Sequence, residues 1–196
     1  MYYRRLLTVF MLSVCLNNLF GQISIGGKIG YLHSNTAKEL GTKAYDGING
    51  GVVALYKLSK TISLKGELIY STRGYEISEG VLDEGFLKNV KVKFEYLDIP
   101  FFIEYNTSPF LSIYAGPFFG LQIKRKLYYN DLRQDGSVFG EKQIFDSGVI
   151  LGIKAKIKNL FLETQYQYGF TQSYKNVDAF KTKAFSVNLG YMFNLK

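Results

Sequence analysis

His33 is the only histidine in the chain, and Ser34 follows it directly. A serine and a histidine oriented by an acid can carry acyl transfer, lipid hydrolysis included. Neighbouring side chains on a strand point to opposite faces, so this pair forms a dyad only where the strand has ended. We read His33 as a residue at the mouth of a loop, not as a catalyst. Asp98, Glu104, Asp146 and Glu163 are acidic groups that could pair for acid–base work. Lys65, Lys154 and Lys156 share their strand faces, which favours a structural ion-pair network. Asn130-Asp131 and Asp135-Gly136 have the residue types of a calcium loop but not its spacing. Gly26-Gly27-Lys28-Ile29-Gly30 is followed by no helical pattern and so is no phosphate loop; its glycines suit a crowded interior. No catalytic residue, cofactor or metal is expected, and the chain reads as a non-enzyme.

The elements that position these groups begin with an export signal. Met1-Tyr2-Tyr3-Arg4-Arg5 is a positive start, and the apolar run from Leu6 to Leu16 is too short to span a bilayer as a helix. Leu19 and Gly21 stand at −3 and −1 of a cleavage site, so residues 1–21 are expected to be a signal peptide and 22–196 the mature domain. Cys15, the only cysteine, lies within that peptide after Val14, where lipidation would need a small residue. The mature domain then has no disulfide or thiolate chemistry. The formal net charge is +8, of which Arg4 and Arg5 leave with the peptide. In an exported protein a basic excess points to anionic lipid headgroups or lipopolysaccharide phosphates, or simply to scattered solvated charges, before nucleic acid.

After Gln22 no stretch keeps a helical period, and no apolar run reaches the length of a membrane-spanning helix. What recurs is alternation with period two. In 61–72, Ile62, Leu64, Gly66, Leu68 and Tyr70 share one face, and Ser63, Lys65, Glu67, Ile69 and Ser71 share the other. Residues 145–157, 160–170 and 184–193 repeat the contrast, and 23–32, 47–58, 90–106 and 110–129 show it more weakly. Tight turns at 58–61, 106–109 and 158–159 alternate with long polar connections at 34–46, 76–89, 130–143 and 172–182. Short turns on one side and long loops on the other are the layout of an outer-membrane barrel. The expected fold is all-β: an eight-stranded antiparallel up-and-down transmembrane β-barrel in the bacterial outer membrane, with both termini on the periplasmic side.

Alternation alone does not say which face is inside. The apolar face ends in Tyr70, Tyr105, Tyr166, Tyr168 and Tyr191, as an interfacial aromatic girdle would. The other face mixes both signs of charge with small residues, as a narrow, filled lumen requires. A soluble lipocalin-like ligand-binding barrel and a small-solute pore are the alternatives, but eight strands leave essentially no aqueous channel. Pro100 and Pro117 fall inside strands, where a closed barrel offers no edge for a missing N–H. A β-bulge at each is expected. It would also account for the apolar face passing from Val90, Val92 and Phe94 to Leu97, Ile99, Phe101, Ile103 and Tyr105.

With nothing catalytic on the strands, a specific partner should meet the long loops. The third loop is the candidate, because Tyr128, Tyr129, Arg133 and Phe139 stand there among Asp131, Asp135 and Glu141. Tyrosine and arginine are enriched among binding hot spots.

Three stretches resemble the PorT-like family of outer-membrane β-barrel proteins. They are Tyr96-Leu97-Asp98-Ile99-Pro100-Phe101-Phe102-Ile103-Glu104-Tyr105, then Ala115-Gly116-Pro117-Phe118-Phe119-Gly120, and the final hairpin from Leu160 to Thr171 with Phe185 to Phe193. Gly26-Gly27-Lys28-Ile29-Gly30 fits as well, so the resemblance covers essentially the whole mature chain. It implies an eight-stranded barrel inserted by the barrel-assembly machinery, with a role in the envelope that could include an accessory part in protein secretion. It brings no catalytic or ligand residues. Asn194-Leu195-Lys196 depart from it, since the family's last strand ends on its aromatic residue.

Overall fold

Residues that alternate between a β-branched or aromatic face and a polar face are stable as strands only where each face meets its own solvent. Here they form eight long strands that close on themselves. The computed structural model describes residues 22–36, 42–82, 85–129, 132–134, 144–172 and 181–195. The expected signal peptide at 1–21 and Cys15 lie outside the described residues.

The strands are β1 (Ile23–Thr36), β2 (Thr42–Lys57), β3 (Ile62–Leu82), β4 (Gly85–Asn106), β5 (Leu111–Tyr129), the short β6 (Leu132–Gln134), β7 (Phe145–Ile157), β8 (Leu160–Gln172) and β9 (Lys181–Asn194). Each wall strand pairs antiparallel with its sequence neighbours, and β1 closes the barrel against β9 with Ile29 opposite Leu189. β6 is not part of the wall; among the described residues it pairs only with the end of β5. The expected eight-stranded up-and-down barrel is the observed architecture. The ends of the elements differ from expectation. The second connection, expected as a loop at 76–89, is mostly strand, because β3 and β4 stay paired until Leu82 meets Gly85.

Leu64 and Leu68 are each 43% exposed, Leu151 62% and Leu189 55%, whereas Glu67, Lys154 and Glu163 are buried. Outward-facing Ile, Leu, Val and Phe continue round the wall, far more apolar surface than a water-soluble monomer presents. This band faces lipid. The soluble lipocalin-like alternative needs the reverse arrangement and is overturned. Tyr70, Tyr105 and Tyr191 face outward, as the girdle requires, and so does Tyr166, which lies opposite Leu151 within the band.

The interior is filled by ion pairs and rings packed against one another. Lys28 reaches both Glu67 (2.8 Å) and Glu163, while Lys65 lies 3.0 Å from Glu67 and 3.1 Å from Glu163. The Lys65 ammonium also sits 3.4 Å from the centroid of the Tyr114 ring. Lys154 pairs with Glu104, and Arg73 joins Asp98 to Asp146. Apolar clusters pack beside these charges: Val53, Leu55, Phe161 and Met192 form one, with Val53 opposite Glu67 and Leu55 opposite Lys65, and Phe102, Tyr114, Phe118 and Ile150 form another. Gly152 and Gly190 are required by this filling, since a Cβ on either would strike the ring of Tyr114 or Phe161.

The prolines correct the expectation of bulges. Register is the same on both sides of Pro100, with Gly66 opposite Phe101 and Ile69 opposite Asp98. It is also the same on both sides of Pro117, with Pro100 opposite Phe118 and Ile103 opposite Ala115. Each missing N–H is absorbed by a local gap in the ladder, without an inserted residue. The register shifts lie elsewhere: between Ala44 and Asn49, opposite the Glu95/Tyr96 step, and between Tyr168 and Gln172.

Candidate interaction surface

β3, β4 and β5 outrun the rest of the wall on the side of the long connections. Pairing of β5 with β7 stops at Leu121 opposite Phe145, but its pairing with β4 continues to Tyr129 opposite Val90. In this extension the polarity of the faces is reversed. Tyr75, Val90, Val92, Phe94, Tyr96 and Leu127 form a buried cluster on the inner face. Lys91 and Lys93 alternate with them on the outer face, where Lys91 pairs with Glu76 at 2.8 Å.

Inner positions on β4 are even-numbered throughout, from Val90 and Phe94 through Asp98 and Pro100 to Phe102 and Glu104. The apolar face changes along β4 because the surroundings change from water to lipid, not because the strand is bulged. A bulge does lie at this level, on β5. Glu95 faces Lys124 and Tyr96 faces Gln122, which leaves Ile123 over, and Ile123 and Lys124 are both exposed. It turns the inner parity of β5 from even to odd, so that Leu127 joins the cluster.

Where the two patterns meet stands Arg73, fully buried. Its Nη1 donates to Asp146 at 3.0 Å, its Nη2 donates to Asp98, and Asp98 accepts a further bond from the Ser71 hydroxyl at 2.6 Å. Asp98, Glu104, Asp146 and Glu163 are therefore all held in ion pairs with Arg73, Lys28, Lys65 or Lys154, as the network reading expects. Lys156 is the exception: it faces the same lumen but joins no ion pair among the described residues.

Of the four loop residues singled out, three come together along the backbone. Tyr128 lies opposite Arg133 on β6 and Lys91 on β4, and Tyr129 lies opposite Leu132 and Val90. The Tyr128 side chain is half-buried. The side chains of Tyr129 and Arg133 lie outside the described residues, as do Phe139, Asn130-Asp131, Asp135-Gly136 and Glu141. The extension itself was missed, although the alternation of Val90, Val92 and Phe94 with Lys91 and Lys93 signals it.

His33 and Ser34 diverge. His33 Nδ1 lies 2.7 Å from Asp46 Oδ1 on the exposed outer face. Ser34 turns inward, and its hydroxyl donates to the carbonyl of Gly74 at 3.0 Å and accepts from the Gly74 N–H at 2.9 Å. No dyad forms between them. His33 sits on β1 itself, beyond the last outward apolar residues Tyr31 and Ile48. There Asp46 accepts hydrogen bonds from Tyr31 and His33, which hold its carboxyl below the usual aspartate range.

A family model described as outer membrane protein beta-barrel domain matches residues 20–175. Among solved structures the chain resembles neisserial surface protein A, with TM-score 0.56 and 14% identity over 88% of this chain and 97% of that one. It also resembles Ail, the attachment invasion locus protein of Yersinia pestis, in its complex with the heparin analogue sucrose octasulfate. The TM-score is 0.51 and the identity 19%, over 88% of this chain and 99% of that one. At such identities the likeness is one of fold. No curated protein matches the chain.

Proposed function

Because the chain belongs to the outer membrane protein beta-barrel domain family, we propose that it acts as a non-enzymatic interaction barrel of the cell envelope, meeting a protein partner through the β3–β6 extension. The observation that carries this reading is the reversed polarity of β4. Val90, Val92 and Phe94 pack a water-type core above the membrane band, and that core makes the extension a stiff platform. Tyr128 and the backbone of Arg133 stand on it. Ion pairs and rings together fill the interior, which supports binding at the rim over passage of solutes.

The stretches around Pro100 and Pro117 resemble PorT-like barrels, and on that resemblance the partner is a component of protein secretion. Residues 1–21 are the signal peptide, and the barrel-assembly machinery inserts the rest. Ail was solved with a sulfated sugar bound. Here Lys93 and exposed Lys124 would similarly favour anionic groups such as lipopolysaccharide phosphates beside the rim.

Tyr128 and Arg133 lie opposite each other across β5 and β6, outside the closed wall, so Tyr128→Ala with Arg133→Ala leaves the membrane band undisturbed. The double variant should insert and show unchanged heat-modifiable migration, yet lose co-purification with its envelope partner. Retained co-purification would move the contact to the opposite rim.

A further inference from the structure

The end of the barrel that carries the short turns opens into a vestibule of about 710 Å³, within the range of small-ligand sites. Its charges are one-sided. Lys57, Lys60, Lys154 and Lys156 line it, against Glu104 as its single carboxylate. Glu104 is already taken by Lys154. Among the described residues no carboxylate pairs with Lys57, Lys60 or Lys156. The field of Lys57 acts against the Lys156 ammonium, and that of Glu104, already paired with Lys154, acts for it.

Strand parity aims these groups at the axis and away from lipid. On β2 the inward positions run Val53, Leu55, Lys57; on β7 they run Gly152, Lys154, Lys156. Lysines bound for lipid headgroups would occupy the outward positions, which here hold Tyr56, Ala155 and Ile157. The hydroxyls of Ser63 and Ser112 line the same space. Unpaired ammonium groups around an open hollow edged with hydroxyls suit a compact multivalent oxyanion, because lysine binds phosphate as a mobile point charge.

We propose that this periplasmic vestibule is a binding site for a small phosphate-type polyanion that enters as a free solute, with Lys57 and Lys156 as its principal contacts. The test uses the full barrel in phosphatidylcholine nanodiscs at low salt, titrated calorimetrically with inorganic pyrophosphate. Saturable binding of one equivalent is expected. The double variant K57Q/K156Q should weaken it about tenfold or more, the cost of losing charge-assisted contacts. K57R/K156R should retain it, and K93Q/K124Q at the opposite rim should leave it unchanged. Heat-modifiable migration of each variant reports folding, and the arginine pair separates lost charge from lost structure. Adding phosphatidylglycerol to the nanodiscs should not compete. Absence of saturable binding, or unchanged affinity in K57Q/K156Q, overturns the proposal; competition by phosphatidylglycerol overturns the free-solute assignment and makes the ligand a lipid headgroup.

Discussion

The guanidinium of Arg73 lies over the ring of Tyr96, with its carbon 4.0 Å from the ring centroid. Tyr96 belongs to the apolar cluster of the extension, and Asp98, two residues on and also facing inward, belongs to the charged lumen. Arg73 therefore joins the two regimes of β4. Replacing it with methionine leaves Asp98 and Asp146 buried without their shared cation. The loss should be about 3–5 kcal/mol, the usual cost of removing one partner of a buried ion pair. Urea-induced loss of heat-modifiable migration would measure it. Arg73→Lys should fall between the two, since an ammonium cannot span both carboxylates as a fork does. Adding D98N to R73M should recover part of the loss; no recovery would mean that the ring contact, not the charge, dominates.

Leu151 and Ile150 are neighbours on β7 that face opposite media, one 62% exposed and the other buried beside Phe102, Tyr114 and Phe118. Leu151→Arg puts a charge into the lipid band and should cost about 2–4 kcal/mol if the site is near the midplane. Tyr191→Ala, at the girdle, should cost much less. Unfolding midpoints in phosphatidylcholine vesicles compare the two. Equal tolerance of both would mean that the outward band does not meet hydrocarbon.

The reversal on β4 makes a paired prediction about Val92 and Lys93. Val92 is 2% exposed in the extension's core, and Lys93 alternates with it on the outer face. Val92→Lys should open the extension, and amide exchange there should accelerate by orders of magnitude while the membrane band stays protected. Lys93→Val should change exchange little. Were the strand instead embedded in lipid at this level, the two substitutions would exchange their effects.

Residues 61–72 were legible as a strand because two unlike media, lipid outside and a filled polar lumen inside, impose a contrast at every step. The meander followed from short turns alternating with long connections, and the outward leucines from the tyrosines ending the apolar face and the mixed charges of the other. The same rule failed past Glu76, where apolar no longer means outward: the polar run 76–89 read as a loop, although 76–82 is strand. It failed again at Pro100, where a change of solvent along β4 was read as a change of register. The lumen pairs were legible as a class but not as partners, because Lys28 and Glu163 are 135 residues apart and meet only through closure. The pairing of His33 with Asp46 depends on the register between β1 and β2, which the polar residues between them do not reveal.

That pairing gives a prediction in pH. Asp46 lies beyond the apolar band, and its carboxyl is held low first by the Tyr31 hydroxyl and then by His33. A carboxyl depressed in the folded state contributes stability above its unfolded pKa, about 3.9 for aspartate, and loses it as pH falls through the folded value. The contribution is therefore intact at neutral pH and vanishes only in strong acid. The group is fully exposed, so the effect on global stability should be small. The local signature is the sharper readout. A carboxyl-detected NMR titration of Asp46 should give a value below the ordinary aspartate range, and Tyr31→Phe should raise it more than His33→Gln does. A larger rise in the histidine variant would make imidazolium charge, not the phenol's hydrogen bond, the main cause. An unchanged value in both would mean that the contacts at this rim do not persist in the bilayer.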